Sequence, residues 1–426
     1  MQFFENKKYI FIVALLIRII IVGLYGDTRW EHEYNTLIYN LLNGNGFSYW
    51  SVLEDGSLST QINENVKYFI PSAYMPPLYP GFCAVIAYIF GFNNIISINI
   101  ILFIQALLGS INILMLKKIA RIKFNQNIAI IFAWVLVFFP LHAYMSSQIS
   151  PSTIYVFLFS SILYFYNIIK LRIASIKELL LLGISMGLLI LIRADAILII
   201  PAIFVLFHYV NKKISFRNNL LITIMAIVTI SPFSLRNKLV FDFYYPLTIS
   251  AGFSLWVGNN EEALGSQYVY HDPPGEIPIR IINKINSIQK NKYYEINKDK
   301  IFMEEAKDYI INNPLRVIKL SLKKVVFFWI HIYDKRIKYP NNNNFFYWFP
   351  WLFFTLPFIK SLFSLRKNFR DHDLEYFILL YFTVVYSIFM VVPRYRIIIL
   401  PIYIMFSVYE IEKYLNKFLT NKLKGQ

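Results

Sequence analysis

Three carboxylates and a histidine lie within seven residues of one another, directly after the first apolar stretch of this 426-residue chain. They are Asp27, Glu31, His32 and Glu33. A carboxylate at the edge of a membrane is less well solvated, which moves its pKa toward the range useful to a general base. The spacing therefore indicates acid–base chemistry at a membrane surface, with Glu33, Glu31 and Asp27 as the candidate bases.

Two arginines near the other end of the chain offer the opposite charge. Arg394 and Arg396 flank Tyr395 directly after Pro393. A guanidinium group donates a planar fork of hydrogen bonds to phosphate oxygens, and each such charge-assisted bond contributes about 1.5–3 kcal/mol. We expect the pair to hold an anion at the outer membrane surface. The alternative is that both side chains reach toward lipid head groups.

Two further polar groups interrupt apolar sequence. Arg193 and Asp195 form either an ion pair at a tight outer turn or a site in which Arg193 faces an outer cavity as a second anion ligand. Asn259 and Asn260 follow a glycine and are typical of a turn.

These residues are carried by a chain that is predicted to cross a membrane many times. Its composition is 57% hydrophobic and only 16% charged, whereas about a quarter of a soluble domain is charged. A crossing helix needs about 20 apolar residues. Ten stretches meet or approach this length: Tyr9–Tyr25, Ile95–Leu116, Ile128–His142, Ser152–Ile169, Leu179–Leu191, Ile197–Tyr209, Leu220–Leu235, Phe345–Leu365, Tyr376–Val392 and Ile397–Tyr409.

Basic clusters between the apolar stretches predict which side each loop occupies. Six clusters fit on one side, which the positive-inside rule makes cytoplasmic: Lys7–Lys8, Lys117–Lys123, Lys170–Lys177, Lys212–Arg217, Arg366–Arg370 and Lys413–Lys424. A seventh, Lys335–Lys338, is the exception. Much of the formal charge of +17 is assigned to loops that face anionic lipid. The dispersal of these charges argues against a nucleic-acid partner.

Two long polar segments, 26–77 and 236–314, are predicted to lie on the opposite, outer side. Segments of such length are usually functional, and the second is expected to form a small helical cap because Lys300–Ile311 is amphipathic. Leu78–Phe92 and Leu315–Tyr333 are predicted to lie at the outer interface, because crossing by either would place basic clusters outside. The predicted division is an N-terminal transmembrane region (1–235, with the interfacial helix 78–92), an extracytoplasmic loop domain (236–314), and an interfacial helix with the C-terminal transmembrane helices (315–426).

In this order, short pieces of the chain resemble the GT-C superfamily of polyprenyl-phosphate-sugar glycosyltransferases, in the branch shared by protein O-mannosyltransferases and lipid A aminoarabinose transferases. The pieces are Glu33-Tyr34, Tyr39–Phe47, Ala73–Pro80, Phe90-Gly91, Ile192–Asp195, Trp256–Asn260 with Ala263 and Gly265, Asn313-Pro314, and Arg394–Arg396 with Pro401. No piece is specific by itself, but together they span nearly the whole chain. The resemblance implies an all-α polytopic membrane protein, a GT-C-like bundle of about 10–12 transmembrane helices with outer interfacial helices and a small extracytoplasmic loop domain.

The resemblance also implies an activity. Such enzymes move a sugar from a polyprenyl-phosphate carrier to a glycan, lipid or protein acceptor on the extracytoplasmic face of the cell (inner) membrane, with inversion at the anomeric carbon. Glu33 takes the acidic position, with Glu31 and Asp27 as neighbours, and Arg394 or Arg396 takes the carrier phosphate. The further candidate substrate contacts are Arg193, Tyr34, Tyr79, Asn259 and Asn260. No group of residues has a spacing that is convincing for zinc. Glu31 and Glu33 could hold a divalent cation, although nothing in the sequence requires one.

One departure and one alternative remain. The aminoarabinose branch has a Glu-Lys pair before two prolines, where this chain has Tyr74-Met75. This difference argues against that substrate and removes one carboxylate and one cation from the expected site. Protein-acceptor members often carry a large extra domain, so a glycan or lipid acceptor is favoured. A flippase or transporter of lipid-linked sugars is the alternative, although it predicts charged spans and symmetric halves.

Overall fold

A computed structural model describes residues 2–30, 32–63, 65–92, 94–211, 214–242, 247–264, 277–329 and 345–424. Its helices are α1 (Gln2–Glu5), α2 (Lys7–Tyr25), α3 (His32–Leu42), α4 (Leu78–Phe90), α5 (Ile95–Lys123), α6 (Gln126–Phe138), α7 (Pro140–Tyr144), α8 (Ser152–Leu171), α9 (Ile176–Ile192), α10 (Ile199–Val205), α11 (Phe216–Phe241), α12 (Ala251–Gly258), α13 (Ile279–Asn286), α14 (Tyr294–Asn312), α15 (Pro314–Trp329), α16 (Phe345–Leu365), α17 (Asp373–Ile388) and α18 (Leu400–Lys424). Short helical turns cover Met145–Ser147, Ala194–Ala196, Leu206–Asn211, Arg366–Asp371 and Pro393–Ile398. The predicted helical membrane class is confirmed.

All ten predicted spans coincide with helical structure. By length and composition, five segments of the described chain suffice to cross a membrane: Lys7–Tyr25, Ile95–Lys123, Ser152–Leu171, Ala194–Asn211 and Phe216–Phe241. The helices α6 and Pro140–Ser147 add a sixth if they form one span, which is bent by 62°. Pro140 explains the bend, because proline removes a backbone donor and its ring clashes with the preceding turn.

Arg18 ties the first span to this bend. It is fully buried within α2, where its Nη1 donates to the carbonyl oxygen of Ala14 at 3.0 Å and its Nη2 lies 2.7 Å from His142 Nδ1. A charge inside a membrane is costly unless such polar groups surround it. The contact therefore fixes the start of the segment that leads outward to Ser147 and Ile149.

Two glycines allow α9 and α11 to pack closely. A Cβ atom on Gly183 would lie 2.5 Å from the carbonyl oxygen of Ile222, and one on Gly187 would lie 2.5 Å from Thr229 Cβ. Small residues four apart let helix backbones approach closely in a membrane, where van der Waals contact replaces the hydrophobic effect.

The basic clusters meet at one end of the bundle. Lys123 Nζ forms an ion pair with Glu375 at 2.9 Å, and Lys170 Nζ forms one with Asp373 at 2.8 Å. Lys117 Nζ donates to the carbonyl oxygen of Glu5 at 2.7 Å. These contacts join α1, the ends of α5 and α8, and the start of α17. Residues of the predicted clusters Lys117–Lys123 and Lys170–Lys177 thus lie at one end of the bundle. The cytoplasmic side of that end remains a prediction, and Lys335–Lys338 lies outside the described residues.

A small antiparallel sheet lies in the first polar segment and was not predicted. Its strands β1 (Ser48–Leu53), β2 (Leu58–Ser59) and β3 (Val66–Pro71) are ordered β2-β1-β3. Gly56 adopts a φ of +80° in the β1–β2 turn, a conformation that favours glycine. Val52 and Ile70 point to the buried face, against Tyr294.

The sheet packs on the second polar segment. Trp50 meets the Tyr294 ring edge to face, with centroids 5.5 Å apart, and the Tyr68 hydroxyl donates to the carbonyl oxygen of Lys290 at 2.6 Å. The predicted amphipathic helix over Lys300–Ile311 is present as part of α14. The predicted segment 236–314 starts inside α11, which continues to Phe241. The interfacial placement of α4 and α15 remains a prediction.

We predict that Gly187→Leu destabilises the bundle, because its side chain would collide with Thr229 and with the Ala226 carbonyl group. Overpacking of this kind costs about 1–3 kcal/mol or more. Thermal unfolding in detergent measures the effect. Gly23→Leu is the matched control, since no atom lies within 4 Å of a Cβ at Gly23. Equal melting temperatures for the two variants would contradict the close α9–α11 contact.

Candidate active site

Asp27 holds the first outer segment against the loop before α8. Its N–H donates to the carbonyl oxygen of Ser147 at 3.0 Å, and its Oδ2 accepts from the Ile149 N–H at 2.6 Å. Burial raises the pKa of this carboxyl group, and the bond from Ile149 opposes the shift. Asp27 is therefore anchored to backbone. Glu31 lies outside the described residues.

Glu33 lies in the first turn of α3 and faces two tyrosines. Burial raises the pKa of Tyr49 and Tyr74 most, and the negative charge of Glu33 is the next contribution in both cases. The Tyr49 and Tyr74 rings stack with centroids 6.0 Å apart. The half-buried Glu33 carboxyl group thus lies beside a tyrosine pair that joins β1 to the segment after β3.

Tyr74 also faces the arginine-containing segment from the other end of the chain. Tyr395 contributes to the raised pKa of Tyr74, and it lies in the helical turn Pro393–Ile398. Arg396 in the same turn is buried, with 6% of its surface exposed. The acidic segment and the turn that carries Tyr395 therefore both lie within electrostatic range of Tyr74.

Arg193 forms an ion pair with Asp195, which was one of the two predicted alternatives for this residue. Its Nη2 lies 2.6 Å from Asp195 Oδ2, and the Tyr386 hydroxyl donates to the same oxygen at 2.6 Å. The guanidinium group also lies over the ring of Tyr395, 4.2 Å from the centroid. Arg193 thus supports the Arg394–Arg396 segment through Tyr395, while Asp195 neutralises much of its charge.

Four other predicted substrate contacts are engaged within the protein. The Tyr79 hydroxyl donates to Gln105 Oε1 at 3.1 Å, and its ring meets that of Tyr34 with centroids 5.1 Å apart. Both tyrosines are buried. The side-chain amide of Asn259 donates to the carbonyl oxygens of Leu255 and Ile388, and that of Asn260 donates to the carbonyl oxygen of Trp256. Their part in substrate binding remains a prediction.

The sequence reasoning missed Glu295, a buried carboxyl group whose charge reaches the tyrosine pair. It is 5% exposed in α14 and contributes to the raised pKa of both Tyr49 and Tyr74. Its local sequence, Lys-Tyr-Tyr-Glu-Ile-Asn-Lys, is typical of a solvated helix. Only the apolar neighbours Tyr294 and Ile296 hinted at burial.

A metal site is not evident in the described part of the chain. No group of three histidine, cysteine, aspartate or glutamate side chains that could hold an ion occurs there. Since Glu31 is not among those residues, the predicted pair of Glu31 and Glu33 remains untested.

Comparisons with known proteins identify relatives of this fold. Residues 74–235 match the family described as dolichyl-phosphate-mannose-protein mannosyltransferase. The oligosaccharyltransferase of Archaeoglobus fulgidus tethered to an acceptor peptide is similar, with TM-score 0.55 and 13% identity over 96% of this chain and 50% of that chain. AglB of that organism with an inhibitory peptide and dolichol-phosphate gives TM-score 0.53 and 14% identity over 98% and 51%.

A structure of ArnT from Cupriavidus metallidurans bound to undecaprenyl phosphate gives 12% identity over 94% of this chain and 76% of that chain. Its TM-score of 0.39 is too low to support an inference. No curated protein matches the chain significantly. The chain spans about half the length of the archaeal structures that it resembles.

The protein has the fold of GT-C membrane proteins, and the resemblance predicted from its sequence is confirmed. The family match begins at Tyr74 and includes Arg193, whereas Glu33 and the Arg394–Arg396 segment lie outside it.

We predict that Asp27→Ala lowers the melting temperature in detergent while Asp27→Asn leaves it close to that of the wild type. The asparagine oxygen can still accept from the Ile149 N–H, whereas alanine leaves a donor unsatisfied, at a cost of about 1–3 kcal/mol. An equal loss in both variants would show that the charge of Asp27, and not its hydrogen bond, matters.

Proposed function

We propose that the protein is a membrane glycosyltransferase of the GT-C type that moves a sugar from a polyprenyl-phosphate carrier to a hydroxyl group of a glycan, lipid or protein acceptor. The observation that carries this proposal is the position of Tyr74. The Tyr74 side chain is close enough to both Glu33 and Tyr395 of the arginine-containing segment for each of them to raise its pKa. This proximity supports a site that combines the Glu33 carboxylate with the segment that carries Arg394 and Arg396.

The proposed step needs both charges. Glu33 accepts the proton of the acceptor hydroxyl, whose oxygen forms a bond to the anomeric carbon on the face opposite the carrier. The bond from that carbon to the carrier phosphate breaks, and the phosphate leaves with the electron pair. A base contributes about 10²–10⁴-fold to such a reaction. Arg394 or Arg396 stabilises the charge that develops on the departing phosphate.

The choice of donor is supported by two similarities. The matched family is described as dolichyl-phosphate-mannose-protein mannosyltransferase, and the structure of the similar archaeal protein AglB is a complex with a dolichol-phosphate. A lipid-phosphate leaving group also suits a reaction site at the end of a membrane bundle. No cofactor is established, and Glu33 with Glu31 would be the carboxylates to hold a divalent cation.

The proposed location is the cell (inner) membrane, with the reaction on the extracytoplasmic face. Support comes from the basic residues Lys117, Lys123 and Lys170, which gather at the other end of the bundle. Positive loops remain cytoplasmic, so the end that carries Glu33 and Tyr74 would face outward.

We predict that Glu33→Gln and Arg394→Ala each reduce sugar transfer by at least about 10²-fold, because one removes the base and the other a phosphate ligand. The assay incubates purified protein with a panel of polyprenyl-phosphate sugars and follows their consumption by mass spectrometry. Glu54→Gln, an exposed carboxylate of the same segment, and Arg366→Ala, an exposed arginine at the other end, are the matched controls. Full activity in both test variants refutes the assignment.

The proposed orientation predicts opposite labelling of two introduced cysteines. Cys83 is the single native cysteine and is buried, so Gln61→Cys and Lys367→Cys can be labelled separately in intact cells. Both positions are exposed. We expect an impermeant maleimide to label residue 61 and to reach residue 367 only after the membrane is opened. Labelling of both from one side would contradict the topology.

A further inference from the structure

Glu295 joins the two outer segments of the chain. Its Oε1 accepts a 2.7 Å hydrogen bond from Ser72 Oγ, and its Oε2 accepts a 2.9 Å bond from the Ala73 N–H. Ser72 and Ala73 follow β3, whereas Glu295 lies near the start of α14. A buried carboxyl group with both oxygens bonded in this way fixes the position of the backbone that it contacts.

Ser72 transmits this constraint to Tyr74. The Ser72 hydroxyl oxygen accepts a 3.1 Å bond from the Tyr74 N–H. Arg236 holds the same segment from α11, because its Nη1 donates to the Ser72 carbonyl oxygen at 2.7 Å. The backbone from Ser72 to Tyr74 is therefore held from two sides, and the Tyr74 ring has little freedom to move away.

The Tyr74 ring stacks on Tyr49 with centroids 6.0 Å apart, and the charges of Glu33 and Tyr395 both reach it. We propose that Glu295 is a positioning residue for sugar transfer, which holds Tyr74 between the Glu33 carboxylate and the Arg394–Arg396 segment. This inference rests on the proposed function for its catalytic consequence. The two hydrogen bonds from Ser72 and Ala73 to Glu295, called the tie below, can be tested separately.

Glu295 also gives this tie a pH dependence. The groups that face it are Lys298 and Tyr294 of α14, Arg236 of α11, Tyr49 of β1 and Tyr74. Burial raises the pKa of Glu295 from 4.5 to about 7, against the opposing effects of its two hydrogen bonds and the two cations. The folded protein therefore binds this proton more tightly than the unfolded chain does. The stabilisation that the bound proton gives the folded state is present below the unfolded pKa of Glu295, and it is lost as the pH rises to about 7.

The test compares Glu295→Ala with Glu295→Gln in the full-length protein in detergent. A glutamine can accept from the Ala73 N–H and donate to Ser72 Oγ, so it keeps both bonds but cannot titrate. The rate of amide hydrogen exchange in the peptide that contains Ser72–Tyr74, measured by mass spectrometry, reports directly on whether the tie is present. The effect on catalysis is measured as turnover of a polyprenyl-phosphate sugar that the wild type consumes. The titration of Glu295 is followed by melting temperatures from about pH 5 to about pH 8.

We expect Glu295→Ala to speed exchange of this peptide and to lower kcat about tenfold to a hundredfold, as misplacement of a reacting group does, with little change in KM. Glu295→Gln should restore both values and lose part of the decline in melting temperature with rising pH. Unchanged exchange in Glu295→Ala would overturn the proposal. So would a folded Glu295→Gln variant that is as inactive as Glu295→Ala. A wild type that consumes no donor while Glu295→Ala still alters exchange would refute the proposed function and leave the tie intact.

Asp299→Ala is the matched control. Asp299 lies one turn further along α14 and also accepts two backbone bonds, from the N–H groups of Gly252 and Phe253 at 3.0 and 2.9 Å. We expect its loss to speed exchange in α12 and to leave the peptide with Ser72–Tyr74 unchanged. Equal effects on that peptide from both alanine variants would show general loosening of α14 and would also overturn the proposal.

Discussion

Irregular backbone at the end of a membrane bundle has polar groups that must be satisfied where little water is available. In this protein buried and half-buried side chains of charged residues satisfy many of them. Asp27 accepts from the Ile149 N–H, Glu295 accepts from the Ala73 N–H, and Arg236 donates to the carbonyl oxygens of Phe47 and Ser72. Each charge comes from one part of the chain and bonds to backbone in another. These bonds therefore set the shape of the outer end.

The same bonds determine which functional groups meet. Asp27 fixes the exit of α2, from which the chain leads to Glu33, while Glu295 and Arg236 fix the segment that carries Tyr74. Arg193 supports the third segment through the ring of Tyr395. The charges that hold the backbone are thus largely distinct from those proposed to act on substrate. Such a separation lets the backbone be held by side chains that take no part in the proposed reaction.

The helices could be predicted from the sequence because a membrane allows few backbone conformations, and apolar length alone identifies them. The sheet could not, since β2 has two residues and polar loop sequence surrounds it. The prediction that Glu33 and the Arg394–Arg396 segment form one site came from family resemblance, because no local pattern relates residues so far apart. Tyr79 and Asn259 were predicted as substrate contacts from the family resemblance. The structure buries both, and their part in substrate binding remains a prediction.

At Tyr74-Met75, the residue types in the sequence did not predict which charged groups lie nearby in the folded protein. Its sequence predicted the loss of one carboxylate and one cation from the site. The structure places Glu295 against Ser72 and Ala73, which directly precede this segment, and Lys298 lies one turn further along α14. A carboxyl group and a cation from the second polar segment therefore lie near this position. Arg193 shows the converse, because its charge is largely neutralised by Asp195. Under the proposed function, stabilisation of the departing phosphate would then fall mainly to Arg394 and Arg396, which leaves Arg193 to hold Tyr395 in place.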